Sequence, residues 1–154
     1  MNGYVLRGYR KSDLDALVQL DDLCFSPQFR FTRAMMRRFA EDADADVVIA
    51  EQGEELVGFC IVHIERQSAG YVVTLDVDPA HRRNGIASLL MQRIEADCRD
   101  AGCVSMALHV FTGNTAAIRF YERSGYVRFS TAEDFYGAGV HALLYGKRLG
   151  AGQA

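Results

Sequence analysis

Between Tyr71 and Val110 the chain changes periodicity twice, and this stretch constrains the fold more than any other. Tyr71–Val77 (YVVTLDV) reads as a short strand, and Asp78-Pro79 breaks it. Ile86, Leu90, Ile94 and Cys98 then recur every four residues, with Arg93, Glu95, Asp97 and Arg99 between them. That spacing predicts an amphipathic helix over 85–101, ended by Ala101-Gly102. Cys103 to Val110 is apolar again and reads as a second strand. Two strands joined through a helix run parallel, with a right-handed crossover. Any fold for this chain must therefore be built around a parallel pair.

The remaining segments surround that pair with antiparallel partners. Tyr4 to Arg7 reads as a first strand. Ser12 is placed as the cap of a helix carrying Leu14, Leu17, Val18 and Cys24, and Thr32 as the cap of a second helix through Phe39. Val47–Ala50 and Leu56–Ile64 flank Glu51-Gln52-Gly53-Glu54-Glu55, the pattern of a hairpin, and Ala69-Gly70 turns the chain into strand 71–77. Asn114 to Ser124 reads as a further helix stopped by Gly125, and Tyr126–Ser130 with Val140–Lys147 as a closing antiparallel pair. The expectation is one α/β domain over 1–154: a mixed, mostly antiparallel sheet with a central splayed parallel pair, flanked by helices.

Composition narrows the function classes. With 154 residues and 49% hydrophobic residues, the chain is long enough for one substantial core. Its formal net charge of -3 argues against a general nucleic-acid binder. No apolar run reaches the roughly 20 residues of a membrane span. Met1-Asn2-Gly3-Tyr4 lacks the layout of a secretory signal, so a cytoplasmic location is expected. Cys24, Cys60, Cys98 and Cys103 include no C-x-x-C pair and read as buried free thiols, and no His set has metal-ligand spacing.

The turn before the central helix points to a ligand. In a crossover of this kind, ligands bind beyond the carboxyl end of the strand, where the helix begins. Its first turn offers unpartnered N–H groups and a partial positive charge. Gly85 permits close backbone approach, Ala87 leaves space, and Arg82 and Arg83 add guanidinium forks suited to phosphate oxygens. The stretch therefore suits a pyrophosphate.

Val77-Asp78-Pro79 followed by Arg82-x-x-Gly85-x-Ala87 resembles the acetyl-CoA motif of the GCN5-related N-acetyltransferases. Asn114-Thr115-Ala116-Ala117, leading to Tyr121 and Gly125-Tyr126, resembles the N-x-x-A-x-x-x-Y-x-x-x-G-[FY] segment of that family. The resemblance covers nearly the whole chain. It implies acetyl-CoA as co-substrate, with its pantetheine arm on the backbone of Leu75 and Val77. The pyrophosphate would lie on the amides of Arg83, Asn84, Gly85, Ile86, Ala87 and Ser88, beside Arg82. Asn114 would contact the cofactor, and Tyr121 would stand near its sulfur.

Acetyl transfer needs a neutral amine, a positioned thioester, an oxyanion donor and a proton for the departing thiolate. Tyr121 is the candidate acid. His109, with Tyr71, is the candidate base: the pair is similar to the Tyr and His of one eukaryotic N-terminal acetyltransferase class. By alternation His109 shares a face with small Ala107 and Ser105, and Tyr71 shares one with Val73, Leu75 and Val77. Asp76 departs from the family pattern, which usually has a neutral residue there, and faces away from Tyr71 unless a bulge changes the parity.

Leu23-Cys24-Phe25-Ser26-Pro27 and Phe135-Tyr136-Gly137-x-Gly139 resemble the peptide-flanking loops of protein N-terminal acetyltransferases, including the bacterial ribosomal-protein-alanine kind. Phe25 and Tyr136 are the substrate-contact candidates. The reading is acetylation of a peptide α-amine in a ternary complex. Small-amine acetylation and a non-catalytic CoA-binding module are the alternatives.

Overall fold

The parallel pair sits at the centre of a seven-stranded sheet in the computed structural model, which describes residues 3–150. The strands are β1 (Tyr4–Gly8), β2 (Ala45–Gln52), β3 (Glu55–Glu65), β4 (Ala69–Val77), β5 (Ser105–Phe111), β6 (Val127–Ala132) and β7 (Ala142–Arg148). Their order is β1-β2-β3-β4-β5-β7-β6, and among the described residues only β4 and β5 run parallel. The helices are α1 (Leu14–Cys24), α2 (Arg33–Ala40), α3 (Ile86–Asp100) and α4 (Thr115–Arg123). The closing pair lies a little later in the chain than its sequence pattern predicts. Met1 and Asn2, whose layout bore on location, fall outside the described residues.

Each sheet face carries its own apolar layer. Ile86, Leu90, Ile94 and Cys98 of α3, with Tyr121 of α4, pack on Val48, Cys60, Val62, Val72, Met106 and Leu108. On the opposite face Leu14, Leu17, Leu20 and Met36 cover Val47, Ile49, Phe59 and Ile61. The four-residue repeat of α3 is thus a buried stripe, the reason that segment is a helix here. Cys60, Cys98 and Cys103 are buried free thiols, and Cys24 is half-buried.

Two local expectations change. Thr32 caps α2, its hydroxyl accepting from Met35 N at 3.1 Å. Ser12 does not cap α1: it lies exposed in a one-turn 3-10 helix, Lys11–Asp13, and Asp13 organises the helix entry instead. Asp13 accepts from Arg10 N at 2.7 Å and from both terminal nitrogens of Arg7 at 2.9 and 2.8 Å. The Arg7 guanidinium holds the Asp13 carboxyl below the usual carboxylate range.

The second change is in β4. Its pairing with β3 runs Val62↔Val72 and then Ile61↔Thr74, so Val73 is an extra residue. A bulge of this kind reverses side-chain parity along the strand. Before it, Tyr71 pairs with His63, which bonds Phe39 O of α2. Beyond it, Thr74 and Asp76 pair with Ile61 and Phe59, so they too face α1 and α2. Leu75 and Val77 pack against the α3 side. Tyr71 therefore shares its face with Thr74 and Asp76, not with Leu75 and Val77 as alternation predicts.

Candidate active site

β4 and β5 hold together over Ala69↔Ser105 to Val72↔Leu108 and then part. Past that point β4 stays with β3 to Gly58↔Val77, while β5 stays with β7 to Phe111↔Ala142. A wedge opens between Val73–Val77 and His109–Phe111. Backbone groups along this edge of β4 lose their sheet partner and become available to a ligand.

At the wider end lies the turn into α3. Arg83 and Gly85 both take positive φ, 67° and 79°. Residues in the left-handed region alternating with ordinary ones turn neighbouring N–H groups toward one concavity, a nest for anions. The first helical bond runs from Leu89 N to Gly85 O at 3.0 Å, so the amides of Ile86, Ala87 and Ser88 precede it and have no intrahelical acceptor. A Cβ on Gly85 would meet no atom within 4 Å, which marks open space for a group the size of phosphate. Arg82 and Arg83 are exposed at the rim, and Asn84 Nδ2 braces the turn by donating to His81 O at 3.1 Å. Ile86 contributes only its amide, since its side chain is core. These residues fit a pyrophosphate. Val77 O already accepts from Cys24 Sγ at 3.3 Å and Arg82 Nε at 3.4 Å, so an incoming amide must share that carbonyl.

Tyr121 stands on the α3–α4 side, its ring in edge contact with Phe120 and Tyr126. The residue is 8% exposed, and burial pushes its phenol well above the usual range. Among the described residues its hydroxyl has no hydrogen-bond partner, yet it is not one of the sealed polar atoms. A protonated hydroxyl with free donor capacity is what a thiolate leaving group requires. Asn114 caps α4, its Oδ1 accepting from Ala117 N at 3.2 Å, which leaves the amide nitrogen for another partner.

Across the sheet, Tyr71 and His109 meet: the Tyr71 oxygen is 2.8 Å from His109 Nδ1. Burial raises the phenol and lowers the imidazole, so near neutral pH both are uncharged. In the tautomer that carries the ring proton on Nε2, the phenolic O–H donates to Nδ1. The space beside His109, expected to be open because Ala107 and Ser105 are small, is filled on one side by Phe135, stacked at 4.1 Å and 12°. Phe135 touches Tyr136 edge-on at 4.9 Å, and Tyr136 touches Phe29 at 5.1 Å. Phe29 in turn packs on Phe111 at 4.9 Å. Tyr136 thus joins the wall near His109. Phe25 is half-buried on the preceding turn, and among the described residues no ring contact joins it to this group; the contact to Tyr136 is made by Phe29. Phe29 and Phe111 gave no sequence signal, since their partners come from segments far apart in the chain.

Among the described residues no group of three His, Cys, Asp or Glu side chains is placed to hold a metal ion. No helix among them is long and apolar enough to cross a membrane.

Residues 14–126 match the model of the acetyltransferase (GNAT) family, and the chain belongs to that family. It is 32% identical over 99 residues to human N-alpha-acetyltransferase 30, covering 62% of this chain and 27% of that protein. It is also 28% identical over 141 residues to mycothiol acetyltransferase of Saccharopolyspora erythraea, covering 86% of this chain and 46% of that protein. The chain therefore spans less than half the length of either relative. The fold matches the crystal structure of the ribosomal-protein-S18-alanine N-acetyltransferase from Escherichia coli with a TM-score of 0.87. That match covers 97% of this chain and 96% of that one, at 16% identity.

Proposed function

We propose that this chain transfers the acetyl group of acetyl-CoA to an amine, and that the amine is the α-amino group of a protein or peptide. The observation that carries the reading is the Tyr71–His109 hydrogen bond beside a wedge whose far end is an anion cradle. Acetyl-CoA supplies an activated thioester. The cradle at Arg82–Ser88 holds its phosphates, the free edge at Leu75 and Val77 receives its amide arm, and a β4 amide faces the carbonyl oxygen. As the amine nitrogen attacks, its proton passes to the Tyr71 oxygen, directly or through one water, while the Tyr71 proton passes to Nδ1. The pair ends as phenol and imidazolium. Tyr121 gives its proton to the departing thiolate.

Proton affinities favour the α-amine. Moving a proton from an α-amine to an ordinary imidazole is uphill by roughly 2 kcal/mol, against roughly 5 kcal/mol for a lysine side chain. Burial lowers the His109 pKa and adds to both costs, so the lysine route is the first to fail. The relation to mycothiol acetyltransferase, which spans 86% of this chain, favours a small-molecule amine as the second reading.

A thiol-release assay offering N-terminal peptides, polyamines, amino acids and aminoglycosides separates these readings. Turnover with peptides supports the first, and turnover only with small amines the second. Stabilisation by CoA without release identifies a binding module. In the active enzyme the neutral imidazole is the working form, so activity falls as pH drops through the His109 pKa. Burial lowers that pKa, placing the acidic limb below the ordinary imidazole value. His109→Gln removes the limb, and Tyr71→Phe lowers turnover on the order of 10²-fold. The double variant falls by less than the product, because both act on one proton. An unchanged limb in His109→Gln assigns deprotonation elsewhere.

A further inference from the structure

The bulge at Val73 brings a carboxyl group into the core beside the wedge. Asp76 is fully buried and Asp21 of α1 is 1% exposed, and the two side chains lie within hydrogen-bonding range of each other. Thr74 Oγ1 donates to Asp76 Oδ1 at 2.6 Å, but Asp76 Oδ2 has no donor. Among the described residues no Lys, Arg or His forms an ion pair with either carboxyl. The nearest guanidinium groups are engaged: Arg82 Nε on Val77 O, and Arg30 Nε on Phe25 O at 2.8 Å. Two carboxylates sealed together without a cation cannot both stay ionised.

We propose that Asp76 and Asp21 share one proton, and that this bridge fixes the segment 25–32 against β4, making both positioning residues for the amine acceptor. Asp21 Oδ2 accepts from Phe31 N at 2.9 Å, so the same side chain that meets Asp76 also anchors the end of the segment that carries Phe25 and Phe29. Arg30 closes that segment on Phe25, and Cys24 ties its start to Val77 O. The chain of contacts runs from the strand edge that receives the acyl donor to the ring wall on the acceptor side. Ionising both carboxyls breaks its central link by repulsion and draws Asp21 toward water.

The surroundings support retention of the proton. Burial raises both carboxyls, Asp76 the more strongly; Asp21 raises Asp76 further, whereas the hydrogen bond with Asp76 lowers Asp21, which places the shared proton on Asp76. Asp22 raises Asp21 further, whereas Arg30 and Arg82 act from a distance in the other direction. The Cys24, Cys60 and Tyr121 groups also feel Asp76 but stay neutral near pH 7, since burial raises each of them. A carboxyl whose folded-state pKa is raised favours folding only while protonated. The bridge is therefore intact below that raised pKa and opens as pH rises through it.

The role as acceptor wall rests on the acetyl-transfer reading, so the test includes readouts that need no turnover. Infrared spectra of the intact protein at neutral pH, recorded in an Asp46→Asn background because burial and Asp97 push the Asp46 carboxyl up to about 7, should show the carbonyl band of a protonated carboxyl, lost on adding Asp76→Asn. Asp76→Asn keeps a donor toward Asp21, so exchange of the Phe31 amide should stay slow. Asp76→Leu has no donor and should speed that exchange on the order of tenfold, with a similar rise in acceptor KM and an unchanged KM for acetyl-CoA. In the native protein acceptor KM should rise toward alkaline pH relative to Asp76→Asn. Absence of the band, or unchanged Phe31 exchange and acceptor KM in a folded Asp76→Leu, overturns the proposal. If the band and Phe31 protection are present but no amine is acetylated, the bridge stands and the acetyl-transfer reading falls.

Discussion

At the turn into α3 the cradle is made of backbone: free amides before Leu89, two residues at positive φ, and an empty space where Gly85 lacks a side chain. On the α1–α2 side the site is made of side chains, with Tyr71, His109, Phe29, Phe111, Phe135 and Tyr136 converging from strands and loops. A backbone site depends on chain path and tolerates most substitutions outside its glycine. A side-chain site can be rebuilt one residue at a time without disturbing the fold. The two kinds of construction let one scaffold keep its acyl donor while its acceptor changes.

The sharpest break of that contrast is Gly85→Glu. It forces a Cβ residue into the left-handed region and puts a like charge against phosphate, so acetyl-CoA affinity should fall on the order of 10³-fold. Calorimetry on the folded variant measures it, and unchanged affinity would falsify the cradle. Tyr121→Phe keeps the packed ring and should preserve cofactor affinity while turnover drops about 10²-fold. Single-turnover thiol release reads this directly, and an unaffected chemical step removes Tyr121 as the acid. The smallest effect is expected on the side-chain half. Phe135→Ala uncovers the His109 ring, so the acidic limb should move up toward the ordinary imidazole pKa while kcat changes less than about threefold. A limb that does not move separates Phe135 from the imidazole environment.

The difference in construction also explains what could be read before the fold was in hand. The crossover, the hairpin and the cradle are contiguous: Asp78-Pro79, Arg82-Arg83 and Gly85 lie within one turn and announce themselves together. The role of Asp13 at the entry to α1 has no local signal, because its partner, Arg7, lies on β1 and only the folded strand brings the guanidinium there. Phe29 and Phe111 are separated by most of the chain, and neither stands in a distinctive pattern. The bulge has no local marker either, since Val72-Val73 looks like an uninterrupted strand. Its parity change follows from pairing with β3, a tertiary fact.

That extra residue makes the length of β4 part of the chemistry. Insertions and deletions usually settle in loops, where a shift of one position costs little. Here a gap of one residue in mid-strand exchanges two lists: Asp76 would point among Ile86 and Leu90, and Leu75 toward α1. A relative that lacked the extra residue would keep its column-by-column meaning only with the gap placed at Val73. Upstream of it, substitutions report on the Tyr71–His109 pair; downstream, the same column parity reports on the opposite layer.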